Sequence, residues 1–590
     1  MASPEVYSRP AGAMETFFKK LGDSGPREGP EHGVCLCILQ LQFPDTLSKD
    51  RAVQYIAAAW ETLGKRYPAL RAEISEPPYP VDEVGRERPI ITVRSSTEAT
   101  FGETSFSTHP GSPSIDALFS TTPRLSQSKT ATCHWLPDPG QVILRLSHWR
   151  ADGMGTILLA HEFLSTLGNL VQFGHEQDHV DFKTMLTQWR QQQQIPSSPP
   201  MLSPSVEELV RKYLPPPTNP REASASTADA LVRTLVDGPP SITLPTTGGG
   251  PNTTSRAAIR LSMRASARLR DSCRASGFSV TCALNAAIIR ATLSHIPSRP
   301  GAEPGSYALF APVDLRAPLM AALPSAPEVQ TYCSRATGNY VSGLPLRIDG
   351  VAGKSFKALA RELAASYTSR EAAREKLLHL AEPYIDKMAD LFATFGGSPG
   401  CPYPGTPVIS SLGVLDGLIR ETYPPPTKQQ DGSNDIASAA AGQGGKPVLR
   451  VTDLWNSGEC ATGIMSLTPW SWAGKLTLSA VWNDRFYDRN MATKILHKTM
   501  EELEDGLGMP KQRDSYRILY GCSDDATRVN RLPIEAIPKP KSMPVPWLMR
   551  TPRGMPLQIS GGRRIGLGVA FIAGSFLTAS MVMRKSRVSV

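Results

Sequence analysis

The sequence predicts a mixed α/β protein organised as a two-domain sandwich. Three observations predict it. Apolar runs with strand character recur in both halves of the chain. Amphipathic helical stretches follow several of them. A Gln-, Ser- and Pro-rich stretch separates the two groups, as a crossover would. The 590 residues allow two to four domains at about 150 residues each.

In chain order, 33–43 reads as a buried strand. A helix follows over 48–66, with Val53, Ile56, Ala57, Trp60 and Leu63 on one face. Cys35 and Cys37 share a face of that strand and belong to the core. Residues 141–147 alternate as a strand, and 155–171 form a helix. Composition then shifts: 191–204 is rich in Gln, Ser and Pro, and 224–255 in Ser, Thr, Gly and Pro. The second half opens with a strand over 256–263 and helices over 265–276 and 281–296. Strands over 308–313, 338–348, 407–415 and 463–482 follow, and a helix over 488–507 closes it. The expected organisation is an N-terminal half (1–190), a crossover linker (191–255) and a C-terminal half (256–520). A disordered insertion is expected near 424–446, a basic Pro-rich linker over 521–562, and a tail over 563–590.

Nine scattered cysteines, an odd number, point to reduced thiols and not a disulfide framework. The N-terminus lacks the apolar core of a secretory signal, which makes Asn252-Thr-Thr an unused sequon. The net charge of +9 is unevenly spread. After Glu535 there is no acidic residue and there are nine Lys or Arg, so 54 basic and 54 acidic residues cancel in the rest. A neutral body argues against nucleic-acid binding. Residues 565–583 form a run of 19 without a charge, flanked by Arg563 and Arg564 and by Arg584, Lys585 and Arg587. As a helix this run spans roughly 28 Å, against ~30 Å for a bilayer core. The reading is a membrane tail helix that leaves a monomeric catalytic body on the cytoplasmic face.

The most informative stretch is Gln141-Val-Ile-Leu-Arg-Leu-Ser-His-Trp-Arg-Ala-Asp-Gly153. A strand ends near His148, and Asp152 and Gly153 precede a long helix. Imidazole is the side chain whose ordinary pKa suits a general base. Asp152 by itself reads equally as a helix N-cap. Ala311-Pro-Val-Asp-Leu-Arg316, Gly338-Asn-Tyr, Ser410-Ser-Leu-Gly-Val and Trp482-Asn-Asp-Arg-Phe-Tyr487 follow in order.

In this order of motifs, over roughly 30–510, the chain resembles the coenzyme A-dependent acyltransferases of the chloramphenicol-acetyltransferase-like and condensation-domain superfamily. The flavour is that of fungal specialised-metabolism acetyltransferases of the trichothecene 15-O-acetyltransferase type. The resemblance implies two similar halves with a channel between them, and transfer of an acetyl or other acyl group from a coenzyme A thioester. The acceptor would be a hydroxyl or amine of a small, apolar metabolite. It implies His148 as general base and Asp152 turned from substrate toward Arg316, with Gly153 supporting the site. It needs no metal and leaves the coenzyme A contacts unassigned. Two departures narrow it. The Asp-Phe-Gly-Trp-Gly motif of plant enzymes is absent, and Ser147 stands where condensation domains carry a first histidine. Phe395-Gly-Gly-Ser398 only echoes a carrier-protein site.

Other readings compete. The chain could bind acyl thioesters in condensation-like fashion without turnover. His175-Glu-Gln-Asp-His179 matches a zinc-hydrolase pattern, with Glu207 or Glu208 as a third ligand, but its flanks are polar. Gly396-Gly-Ser-Pro-Gly400 matches a nucleophile elbow in letters, yet Pro399 and Pro402 deny it the helix that an elbow needs.

Overall fold

The computed structural model describes residues 6–23, 29–81, 85–94, 101–121, 129–177, 180–193, 202–216, 225–296, 305–372, 374–396, 405–424, 448–511 and 516–520. All of them fall in one compact unit, Met1–Ser523. Two six-stranded sheets organise it. The first runs Thr422–Tyr423, Leu449–Gly458, Cys35–Gln42, Gln141–Leu146, Thr132–Leu136, Phe106–Thr108. The second runs Val408–Ile409, Ser466–Trp472, Lys475–Asn483, Thr254–Leu261, Tyr516–Tyr520, with Gly413–Val414 also paired to Ser466–Trp472. Each carries its own helices and core, in line with the mixed α/β sandwich of two halves expected from sequence.

The first core is built on strands buried on both faces. Leu36, Cys37, Ile38 and Leu39 are buried from one central strand, and Val142, Ile143 and Leu144 from its neighbour. The Lys49–Arg66 and Gly153–Glu176 helices cover it with Ile56, Trp60, Leu63, Ile157, Phe163 and Leu167. The second core gathers Leu284, Ile288 and Ile289 of Val280–His295 with Ile495, Leu496 and Met500 of Arg489–Leu507. Caps set the helix ends. Ser48, Asp488 and Ser279 each accept a first-turn N–H, and Gly508 ends the last helix in the left-handed conformation that suits glycine. The cysteines of the described residues are free and buried, Cys35 and Cys37 among them.

Several elements depart from the sequence reading. Leu449–Gly458 was not legible as a strand, yet it pairs along the whole of Cys35–Gln42, from Arg450↔Gln42 to Gly458↔Cys35. A late segment therefore completes the sheet of the early half. The linker region is not irregular throughout, because Ala225–Val236 is a helix. Its Ala228, Leu231, Val232 and Leu235 keep helical spacing and pack in the cluster holding Ile385 and Met388. The surrounding Ser, Thr, Gly and Pro hid that period. The 407–415 strand is two short pieces, Val408–Ile409 and Gly413–Val414. The 424–446 insertion lies outside the described residues except for Pro424, and the 563–590 tail lies wholly outside them. Among the described residues no single helix is long and apolar enough to cross a membrane.

Candidate active site

The His148 turn is the hinge between sheet and helix. Gln141–Leu146, buried throughout, pairs with Cys35–Gln42 on one side and Thr132–Leu136 on the other. The chain leaves the sheet at Ser147, turns through 148–150, and enters the Gly153–Glu176 helix with Asp152 as N-cap. Arg150 pins the turn. Its Nη1 donates to the carbonyls of Ala69 (2.8 Å) and Ala72 (2.6 Å), Nη2 donates to that of Lys129, and the guanidinium lies 4.0 Å over Trp149. From the other half, Asn339 Nδ2 donates to the His148 carbonyl at 2.7 Å and Gly338 N to the Arg150 carbonyl at 3.2 Å. Gly338 has φ +126, and a Cβ there would meet the Tyr340 ring at 2.6 Å, so only glycine fits.

Asp152 is consumed by structural bonds. Oδ1 accepts the Gly155 N–H (2.7 Å), and Oδ2 accepts Arg316 Nη1 (2.9 Å) and the Tyr340 N–H (2.8 Å). The ion pair is buried, with side-chain exposures of 6 % for Arg316 and 3 % for Asp152. Arg316 lies beyond the end of the strand that precedes it. The strand stops at Asp314 and Arg316 opens the Arg316–Ala322 helix, where Asp314 Oδ1 accepts its backbone N–H and its Nη1. Close approach explains the glycines. A Cβ on Gly155 would lie 3.3 Å from Arg316 Nη2, and one on Gly153 3.2 Å from Leu412 Cδ2.

His148 is half-buried. Phe18 stacks on its ring with centroids 3.4 Å apart and planes 9° from parallel. The Gly33 backbone also lies against it, a Cβ there falling 3.8 Å from His148 Cδ2. Burial pushes the imidazole down to about 4, while its own carbonyl and the Asp152 charge pull the other way. Nδ1 has no regular hydrogen-bond partner. The residue's own carbonyl, fixed by Asn339, is the backbone group that favours the protonated ring. His32 is also pushed down to about 4, by burial and then by the charge of His148. Its Nδ1 accepts the Ala461 N–H at 3.1 Å, which leaves the proton of the neutral ring on Nε2.

Ser147 takes part in a buried network. Its hydroxyl donates to Glu31 Oε2 (3.1 Å), which also receives Arg145 Nη2 (3.4 Å), while Arg145 Nε reaches Glu459 Oε1 at 3.0 Å. Burial raises the Glu31 carboxyl above its ordinary range, with Arg145 and Ser147 opposing. Phe18, His32, Glu31 and Arg150 were not singled out from sequence. They lie far along the chain or read as ordinary surface residues until the fold gathers them.

Neither competing motif falls wholly within the described residues. His175 is exposed at a helix end, and His179 lies outside the described residues. Glu207 accepts the Ala13 N–H and Glu208 closes a capping box with Ser205. Among the described residues no group of three or more His, Cys, Asp or Glu is placed to hold a metal. Residues 397–400 of the elbow pattern lie outside the described residues. A groove lined by Arg270, Thr281, Ser411, Val414 and Trp470 flanks Leu412, the residue that touches the Gly153 helix start.

Residues 250–338 match the family model described as "Phthiocerol/phthiodiolone dimycocerosyl transferase C-terminus". The chain is 24 % identical over 517 residues to acetyltransferase pigO of Monascus ruber, covering 87 % of this chain and 98 % of the relative. It is 24 % identical over 513 residues to O-acetyltransferase pigM of the same organism, covering 86 % of each. Its fold is similar to that of the trichothecene 15-O-acetyltransferase of Fusarium sporotrichioides, with a TM-score of 0.63 at 15 % identity over 85 % of this chain and 95 % of the other. The chain is thus similar over most of its length to two acetyltransferases and shares the fold of a third.

Proposed function

We propose that this chain is an acyltransferase that moves an acetyl or other acyl group from a coenzyme A thioester to a hydroxyl or amine of a small apolar metabolite in secondary metabolism. One observation carries the reading: the His148 ring lies flat against Phe18, with burial lowering its pKa, while Asp152 is wholly engaged by Arg316, Tyr340 N and Gly155 N. A neutral imidazole beside a carboxylate used only for architecture suits a general base acting without a charge relay.

In this reading the acceptor O–H or N–H attacks the thioester carbonyl and its proton passes to His148 Nε2. The tetrahedral adduct collapses, the C–S bond breaks, and the leaving sulfur takes the proton from the imidazolium. The products are the acylated acceptor and free coenzyme A, with no acyl-enzyme and no metal. We place the thioester arm in the groove beside Leu412, where Arg270 offers a cation and Thr281 and Ser411 offer hydroxyls. The relatives' names, acetyltransferase and O-acetyltransferase, support an acetyl donor and a hydroxyl acceptor. The uncharged 565–583 run with basic flanks supports a tail in a membrane, the catalytic body on its cytoplasmic side.

Labelled acetyl-CoA, incubated with the purified chain and a metabolite extract, should yield labelled product with stoichiometric thiol release. His148→Ala should abolish both. Product formation at the normal rate by that variant would overturn the mechanism.

A further inference from the structure

The Ala13–Asp23 helix lies across the His148 turn and is tied down at several points. Arg9 and Glu15 form a buried bidentate pair (2.8 and 2.7 Å), and Arg9 Nη2 also donates to the Ser203 carbonyl at 2.8 Å. Glu15 Oε2 accepts the Gly12 N–H at 2.7 Å, and Glu207 accepts the Ala13 N–H at 3.1 Å. Met14, Phe17 and Leu21 bury against Ile385 and Met388, and Phe17 stacks on Phe310 at 5.6 Å. Phe18 is wedged edge-on against Phe17 at 5.2 Å. Its ring has little freedom to move, and its face lies flat on the imidazole. His148 is therefore in contact with an aromatic plane and with the Gly33 backbone.

We propose that Phe18 is a positioning residue for His148: it fixes the imidazole plane and keeps water from one face of the base. The proposal rests on the reading of His148 as general base. Unshielded, the base would serve water as readily as acceptor. Water would add to the thioester carbonyl, His148 would take its proton, and the C–S bond would break. That proton would return to the leaving sulfur, giving carboxylic acid and free thiol. A dry face suppresses this side reaction.

The charged and titratable groups around the ring do not supply such a shield. Asp152 is held by Arg316, and His32 is held by Ala461 N. Lys19, next to Phe18, is held by Asp23 at 2.7 Å and Glu76 at 3.2 Å. Lys20, on the same helix, pairs with Glu87 at 3.8 Å.

The test uses the full chain with Phe18→Ala and Phe18→Leu. Diethylpyrocarbonate modification of His148 is followed by peptide mass spectrometry near pH 7, with exposed His175 as internal reference. Thiol release from acetyl-CoA without acceptor is measured alongside. Phe18→Ala should modify His148 at least ~10-fold faster relative to His175, and should raise acceptor-free thiol release several-fold. Phe18→Leu keeps bulk without a plane and should fall between; if Phe18→Ala fails to fold, the leucine variant decides. A modification rate unchanged from wild type in a folded variant overturns the proposal. Faster modification with unchanged thiol release overturns the water shield and leaves the positioning role. The modification needs no acyl donor, so failure of the acyl-CoA reading is read separately.

Discussion

Asp152 Oδ2 and Arg316 Nη1 meet at 2.9 Å across 164 residues of chain. The pair joins the helix start beside His148 to the end of the Ser306–Asp314 strand, and so locks the two halves at the site. Removing one partner of such a buried pair strands a charge, at about 3–5 kcal/mol. Asp152→Asn and Arg316→Met should each lower stability by amounts of that order. The double variant should lose at least ~0.5 kcal/mol less than the sum of the two. Strict additivity in a thermal-melt cycle would show that the contact carries no energy.

His148→Ala removes the base but leaves the turn pinned by Arg150 and Asn339. The variant should fold with a melting temperature close to that of the wild type. Its kcat should fall by at least ~10²-fold, the low end for losing a general base.

The depressed His148 sets the pH profile. A base with an ordinary pKa of 6.5 would lose roughly 30-fold in kcat/KM at pH 5. With the imidazole near 4, the loss at pH 5 should stay within about 2-fold. Stability runs differently. His32 and His148 both drop from 6.5 to about 4 on folding. Between those values the unfolded chain binds protons that the folded chain does not, so stability rises with pH there. It should be fully present above 6.5 and be lost as pH falls toward 4. Melting curves at pH 7 and pH 5 check the sign. A higher melting temperature at pH 5 would be the wrong one.

Chelation separates acyl transfer from the zinc-hydrolase reading. Activity should be unchanged in excess EDTA, because the proposed steps need no metal. Stoichiometric zinc lost together with activity would favour His175 and His179 after all.

The tail is tested by truncation. The full chain should sediment with membranes at high speed, and a chain ending at Gly562 should stay in the supernatant with its activity intact. If both remain in the supernatant, 565–583 is not an anchor.

Local chemistry made much of this protein legible from sequence. The Gln141–Leu146 strand, the Asp152 cap and the Gly153–Glu176 helix follow from alternation, an N-cap residue and helical spacing, all short-range signals. Motif order was enough to point to the fold, and to the acetyltransferases that the chain is similar to. What the sequence could not give was partnership between distant segments. Leu449–Gly458 enters the early sheet because the edge of Cys35–Gln42 needs a partner for its N–H and C=O groups, and no local pattern says which segment supplies it. The same holds at the site. Phe18 on His148, Glu31 under Ser147 and His32 beside both are contacts of folding, made where burial removes water and turns ordinary residues into neighbours. Sequence singled out His148 as the candidate base; tertiary packing sets the plane of its ring and lowers its pKa, because those depend on close contact and desolvation.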